Sequence, residues 1–244
     1  MSPDRLPCKP FGLPIELQDK TRLLGEMTWP EVGERRPTLV VPLGSTEQHG
    51  PHLPLDTDAR IATEVAQRLA ATRVDLVVAP TVAIGASGEH AGFPGTLSFG
   101  AAVFAEMVLE IGRSADAFAG VVWLNAHGGN SVALRSADAR LRAEGRRSMI
   151  ARCSFPGGDA HAGRTETSIL LAIAPEVVRI ELAAPGDTRP WAEMEAEIVA
   201  GGVVAVSPSG VLGDPTGASA EEGARLVDDL VARLAAEVAR WADD

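Results

Sequence analysis

Glu47-Gln48-His49 places a carboxylate and an imidazole two residues apart, and in extended backbone such residues point to the same side. The pair can offer an oxygen and a nitrogen to one metal ion or to neighbouring ions. Asp58 follows eleven residues after Glu47, beyond a turn stiffened by Pro51 and Pro54, at the mouth of a helix. The plain alternative makes Glu47 and His49 solvated loop residues, and Asp58 a helix N-terminal charge favoured by the dipole. The pattern of Pro-His-Leu-Pro and Thr-Asp in register favours metal binding.

The chain has five histidines: His49, His52, His90, His127 and His161. Each lies in a Gly- or Pro-rich segment, and none in a stretch that reads as regular helix or strand. Scattered surface histidines would not sort that way.

Asn125-Ala126-His127-Gly128-Gly129-Asn130 places His127 at a strand end, where the glycines let backbone approach a ligand. In His161-Ala162-Gly163-Arg164-Thr165-Glu166, Glu166 falls in the first turn of a helix five residues after a histidine suited to acid–base work. Here the plain alternative is a cap from Thr165 and a dipole charge from Glu166. Glu89-His90 is the weakest candidate, as well explained by a pocket-lining loop or a subunit contact. His52 reads as a residue that orients a metal ligand.

The elements that must position these residues alternate. Strands are expected over 38–43, 74–79, 120–125, 147–155 and 203–206. Helices are expected over 58–71, 101–118, 131–144, 165–174, 190–200 and 221–243. Alternation implies a parallel sheet covered on both faces, an α/β fold of three layers, α/β/α. The first four strands each run into a candidate segment, and the carboxyl edge of such a sheet is where ligands bind. Residues 1–21 read as a loose, Pro-rich leader, and 22–244 as one domain.

A hydrophobic share of 45 % allows a substantial core, and the formal charge of −11 argues against nucleic acid or an anionic membrane as partner. No apolar run approaches the roughly 20 residues of a membrane span, so a soluble cytoplasmic protein is expected. Cys8 and Cys153 form no CxxC pair, and a structural disulfide is not expected. GxSxG, GxxxxGK[ST], GxGxxG and HExxH are absent, and without tyrosine no phenolic acid–base group exists.

Taken together, Glu47-x-His49-Gly50-x-His52-Leu53-Pro54-x-x-Thr57-Asp58, Asn-x-His-Gly-Gly-Asn and His-Ala-Gly-x-x-Glu-Thr-Ser resemble the creatininase family of amidohydrolases over residues 22 to 240. Leu24 to Val32 looks like that family's N-terminal helix. The resemblance implies a two-metal centre of Fe(II), Zn or Mn, and often a hexameric homo-oligomer. It assigns Glu47 and His127 to one ion, His49 to the other and Asp58 to both. Members that hydrolyse creatinine carry a glutamate ligand where this chain has Gly129. Glu166 is the candidate to replace it, which makes it both a metal-facing and a catalytic residue. His161 is implied as the proton donor to the departing amine.

Creatinine hydrolases also carry tryptophans just before the His161 motif, and residues 154–160 have none. The whole 42–62 run is most similar to the mycofactocin-system branch of the family. Those members are peptidases that release a C-terminal Val-Tyr dipeptide from a modified precursor peptide. The alternatives are a creatinine- or formamide-type amidohydrolase, and a non-catalytic peptide-binding scaffold.

Overall fold

Strand β1 (Thr38–Leu43) is wholly buried and lies at the middle of a parallel sheet, in a computed structural model that describes residues 23–243. The expected leader over 1–21 lies outside the described residues. The sheet has four strands in the order β2-β1-β3-β4, where β2 is Leu76–Val78, β3 is Gly120–Asn125 and β4 is Ser148–Arg152. All three pairings are parallel.

A strand alternates its side chains between two faces, so apolar runs without polar gaps must be covered on both. Val40, Val78, Val122 and Leu124 pack beneath α2 (Thr57–Ala71), α5 (Arg164–Ile173) and α8 (Ala220–Asp243). Leu39, Val41, Val77, Val121 and Trp123 pack against α3 (Gly100–Ser114) and α4 (Ser131–Ala143). The result is the expected three-layer α/β/α fold. Helix α8 carries Val227, Leu230, Leu234 and Val238 on one buried stripe, at spacings of three and four.

The chain leaves β1 through α2 to reach β2 on one side, then crosses back through α3 to β3 on the other. This reversal opens a crevice between the carboxyl ends of β1 and β3. The loops carrying Glu47, His49 and His127 leave from those two ends.

Several expected bounds shrink. The strand expected over 74–79 begins only at Leu76, leaving Val74 exposed, and the helix expected to reach 118 stops at Ser114. The region over 24–32 holds a 3-10 turn (Leu24–Glu26) and a short helix α1 (Trp29–Arg35) closed by a Thr28/Glu31 capping box.

The strand expected over 203–206 is a single helical turn, α7 (Val203–Val206). Its β-branched run suggested a strand, but that preference reflects packing on a pleated surface. Here Val203 packs with Met194 and Ile198 of α6 (Trp191–Gly201) and with Leu212. With no sheet alongside, the turn closes on itself through Ser207 N–H to Val203 C=O at 2.8 Å.

Among the described residues, no helix is long and apolar enough to cross a membrane.

Candidate metal centre

Glu47 is the innermost residue of the site. Its side chain has no exposure, and neither carboxylate oxygen has a hydrogen-bond partner. The nearest groups are two imidazoles, His90 Nε2 at 3.2 Å from Oε1 and His127 Nε2 at 3.2 Å from Oε2. Burial pushes the Glu47 carboxyl up to about 7, against the pull of His127.

Asp58 enters from the first turn of α2 and bridges two histidines. Oδ1 lies 3.3 Å from His49 Nε2, and Oδ2 lies 3.0 Å from His127 Nδ1 and 2.9 Å from the Ser45 hydroxyl, which donates to it. Burial works against its charge, but His49 and His127 hold Asp58 well below the usual carboxylate range.

His49 is oriented by its own loop. Its Nδ1 lies 3.1 Å from the Glu47 carbonyl, which can only accept, so Nδ1 carries the proton and Nε2 faces Asp58 and Glu166. A ring fixed by a backbone carbonyl, with its free nitrogen aimed at carboxylates, is oriented as a metal-binding histidine is. With no ion present, burial would lower its pKa, but Asp58, Glu166 and Glu47 carry it up to about 10. His127 rises to about 9 in the same way, through Glu47, Asp58 and Glu89.

Glu166 comes to the cluster from the first turn of α5, with Oε2 at 4.0 Å from His49 Nε2. The same oxygen accepts the Ala162 N–H at 2.6 Å, and burial raises its carboxyl to about 7. The α5 N-terminus is held by Asp159 and not by a cap from Thr165. The Asp159 carboxylate accepts the backbone N–H of Arg164, Thr165 and Asp214 and the Thr165 hydroxyl. Ala162, just before, has a left-handed backbone at φ 52°, which turns the chain between His161 and the helix.

His161 sits over the cluster, its ring 4.3 Å from that of His49. Nε2 donates to the Gln48 carbonyl at 2.8 Å, leaving Nδ1 facing Glu47 Oε1 at 3.9 Å. Burial, with His49 and His90 nearby, pulls its pKa well down, so the ring is neutral at physiological pH.

Sequence reasoning missed Gln48, which an amide's lack of charge conceals. Its Oε1 accepts the Gly50 N–H at 2.8 Å, and its NH₂ donates to His90 Nδ1 and the Gly210 carbonyl, each at 3.0 Å. With Nδ1 accepting, His90 carries its proton on Nε2, which lies 3.2 Å from Glu47 Oε1 but outside hydrogen-bonding geometry. Gly210 has φ 81°, and a Cβ there would collide with the Gln48 amide. Burial, with His127 and His49 nearby, lowers His90 to about 3.

His52 stands outside the cluster. Its Nε2 pairs with the Thr167 hydroxyl at 2.9 Å, tying the β1 loop to α5 beside Glu166. Asn130 accepts the Ala86 N–H and donates to the Gly44 carbonyl and to Asn125 Oδ1, stitching three loops together.

The expected residues Glu47, His49, Asp58, His127, His161 and Glu166 therefore meet in one place. Among the described residues, three overlapping groups have ligand atoms within 4.8 Å of one another: Glu47/Asp58/His127, His49/Asp58/Glu166 and Glu47/His49/His161. A buried carboxylate without hydrogen-bond partners costs several kcal/mol, of the order of 1–3 or more, unless something charged meets it. A mixed oxygen and nitrogen donor set around such a group suits divalent Zn, Fe or Mn.

The chain is 49 % identical over 227 residues to a mycofactocin precursor peptide peptidase of Mycobacterium ulcerans (strain Agy99), covering 89 % of this chain and 91 % of that protein. It is also 49 % identical over 227 residues to the protein of that name from Mycolicibacterium smegmatis, covering 91 % and 92 %. A solved structure, "Creatininase Mn", superposes with a TM-score of 0.76 at 26 % identity, over 90 % of this chain and 98 % of that one. The family described as creatininase, creatinine amidohydrolase, matches residues 25–238. The chain belongs to the creatininase family.

Proposed function

We propose that this chain is a metal-dependent peptidase that releases a C-terminal dipeptide from a modified ribosomal precursor peptide. Support for the substrate comes from relatives 49 % identical over about nine-tenths of the chain that are named as mycofactocin precursor peptide peptidases. The observation that carries the metal dependence is Glu47, fully buried with two unpartnered oxygens between three histidines.

In this reading Glu47, Asp58 and His127 hold one divalent ion, and His49, Asp58 and Glu166 hold a second. Fe(II), Zn and Mn all suit the donor set. Bound ions of this kind supply Lewis acidity, polarising the scissile carbonyl and making water a nucleophile near neutral pH.

The protein's own groups do the rest. His49 and His127 are held in register by the Glu47 carbonyl and by Asp58. His161, neutral at rest with Nε2–H fixed on the Gln48 carbonyl, takes the proton of the attacking water at Nδ1. It then passes that proton to the departing amine as the C–N bond breaks, and returns to its neutral form. The lack of tryptophan over 154–160 argues against creatinine as the substrate. The assembly is read as a homo-oligomer in the cytoplasm.

The test combines mass spectrometry of the modified precursor peptide, the free dipeptide product and creatinine with elemental analysis of the purified protein. Dipeptide release that needs bound metal, with creatinine untouched, supports the reading. Creatinine turnover in preference to the peptide overturns it.

A further inference from the structure

Residue 129 has no side chain, yet the space beside it is full. A Cβ built there would collide with Glu89 Oε1, the Ala86 carbonyl and His127 Nε2. Glu89 comes from the 3-10 turn Gly88–His90 in the loop after β2, and its carboxylate lies 3.6 Å from His127 Nε2. That nitrogen also donates to the Ala86 carbonyl at 3.2 Å and faces Glu47 Oε2 at 3.2 Å, so Glu89 and Glu47 flank the protonated side of the ring while Nδ1 faces Asp58.

The turn is well fixed. His90 N–H bonds the Ser87 carbonyl at 3.0 Å, and the His90 ring is tied to Gln48 and faces Glu47. On the outer side Gly202 packs so close that a Cβ there would lie 2.9 Å from the Glu89 carbonyl oxygen. Glu89 keeps 26 % of its side-chain exposure, so it stands at the mouth of a centre whose other carboxylates lie deeper.

Charge points the same way. Glu47, Asp58 and Glu166 bring three negative charges to a centre read as holding two dications. Glu89 brings a fourth, which balances them.

We propose that Glu89 is a positioning carboxylate of the metal centre, facing the Nε2 side of His127 and adding negative charge beside the ion that Glu47, Asp58 and His127 would hold, and that the lack of a side chain at position 129 leaves room for it. This rests on the two-ion reading above.

Mn(II) titration of the metal-stripped full chain tests it, followed by electron paramagnetic resonance and checked by elemental analysis. The parent is expected to bind two Mn(II) per chain. Glu89→Gln keeps the shape and removes the charge. It is expected to weaken one of the two sites about 10- to 100-fold, as loss of a group supporting a metal site does. Two Mn(II) at parental affinity in Glu89→Gln overturns the assignment of Glu89 alone. A parent that binds no divalent ion overturns the two-ion reading, and this assignment with it.

Discussion

Without metal, this protein should grow less stable as pH rises from about 6.5 to 8. Burial raises Glu47 from 4.5 to about 7, and Glu166 likewise. A carboxyl whose folded pKa is raised favours the fold while protonated. That contribution is complete below about 4.5 and is lost as pH climbs through 7. For Glu47 the loss is on the order of 3 kcal/mol, from about 1.4 kcal/mol per pKa unit. Glu166 adds to it, and the two titrate together with their neighbours. His49 and His127, raised to about 10 and 9, act in the same direction. Their contribution is intact below about 6.5 and disappears as pH passes through those higher values.

Asp58 has the opposite sign, but its depressed pKa matters below 3.8. His52, His90 and His161, lowered by burial, also oppose the trend, and their contribution to stability rises with pH up to about 6.5, so the net fall is expected above that value. For a chain of this size a fall of about 3 kcal/mol corresponds to roughly 6–12 °C in the unfolding midpoint. The assay is thermal or urea unfolding of chelator-treated protein at pH 5, 6, 7 and 8, with Glu47→Gln run beside the parent. The variant cannot ionise at 47 and should lose much of the slope. Added Mn(II) should stabilise the parent more at each higher pH, since ions compete with protons for the same ligands. A parent midpoint that is flat or rises from pH 7 to 8, or a variant that keeps the parental slope, would refute the reasoning.

Other substitutions separate positioning from chemistry. Asp159→Ala leaves the Arg164 and Thr165 N–H groups at the start of α5, and the Asp214 N–H of a distant loop, without their acceptor and should cost about 2–4 kcal/mol in urea unfolding. Gln48→Leu frees His90 Nδ1 and removes the donor to Gly210; calorimetry should find metal affinity reduced about 10- to 100-fold with the fold intact by circular dichroism. His161→Ala should keep both ions by elemental analysis, while kcat for the peptide falls about 10²- to 10⁴-fold. A loss of one ion would instead make His161 a ligand.

The layered fold was legible because buried parallel strands announce themselves as continuous apolar runs. Thr38–Leu43 and Gly120–Asn125 were expected with the bounds they have. The run at 203–206 misled because its neighbours, α6 and Leu212, are distant in sequence and no strand lies beside it. Within the site, Glu47, His49, Asp58, His127, His161 and Glu166 could be singled out, since titratable groups on Gly-rich segments at strand ends are informative residue by residue. Gln48 could not, because its role depends on an amide meeting His90 and Gly210, far along the chain. Glu89 showed only as half of an ambiguous pair. What sets it apart is the empty position at Gly129, forty residues later, and that pairing exists only in the folded chain.

In the proposed reading Asp58 would serve both divalent ions, and dipeptide release would require them. Asp58→Ala, purified beside the parent and assayed for metal content and dipeptide release, tests it most directly. The parent should carry two ions per chain and release the dipeptide, and the variant should lose metal and activity together. A variant with full metal content and full activity would contradict the account.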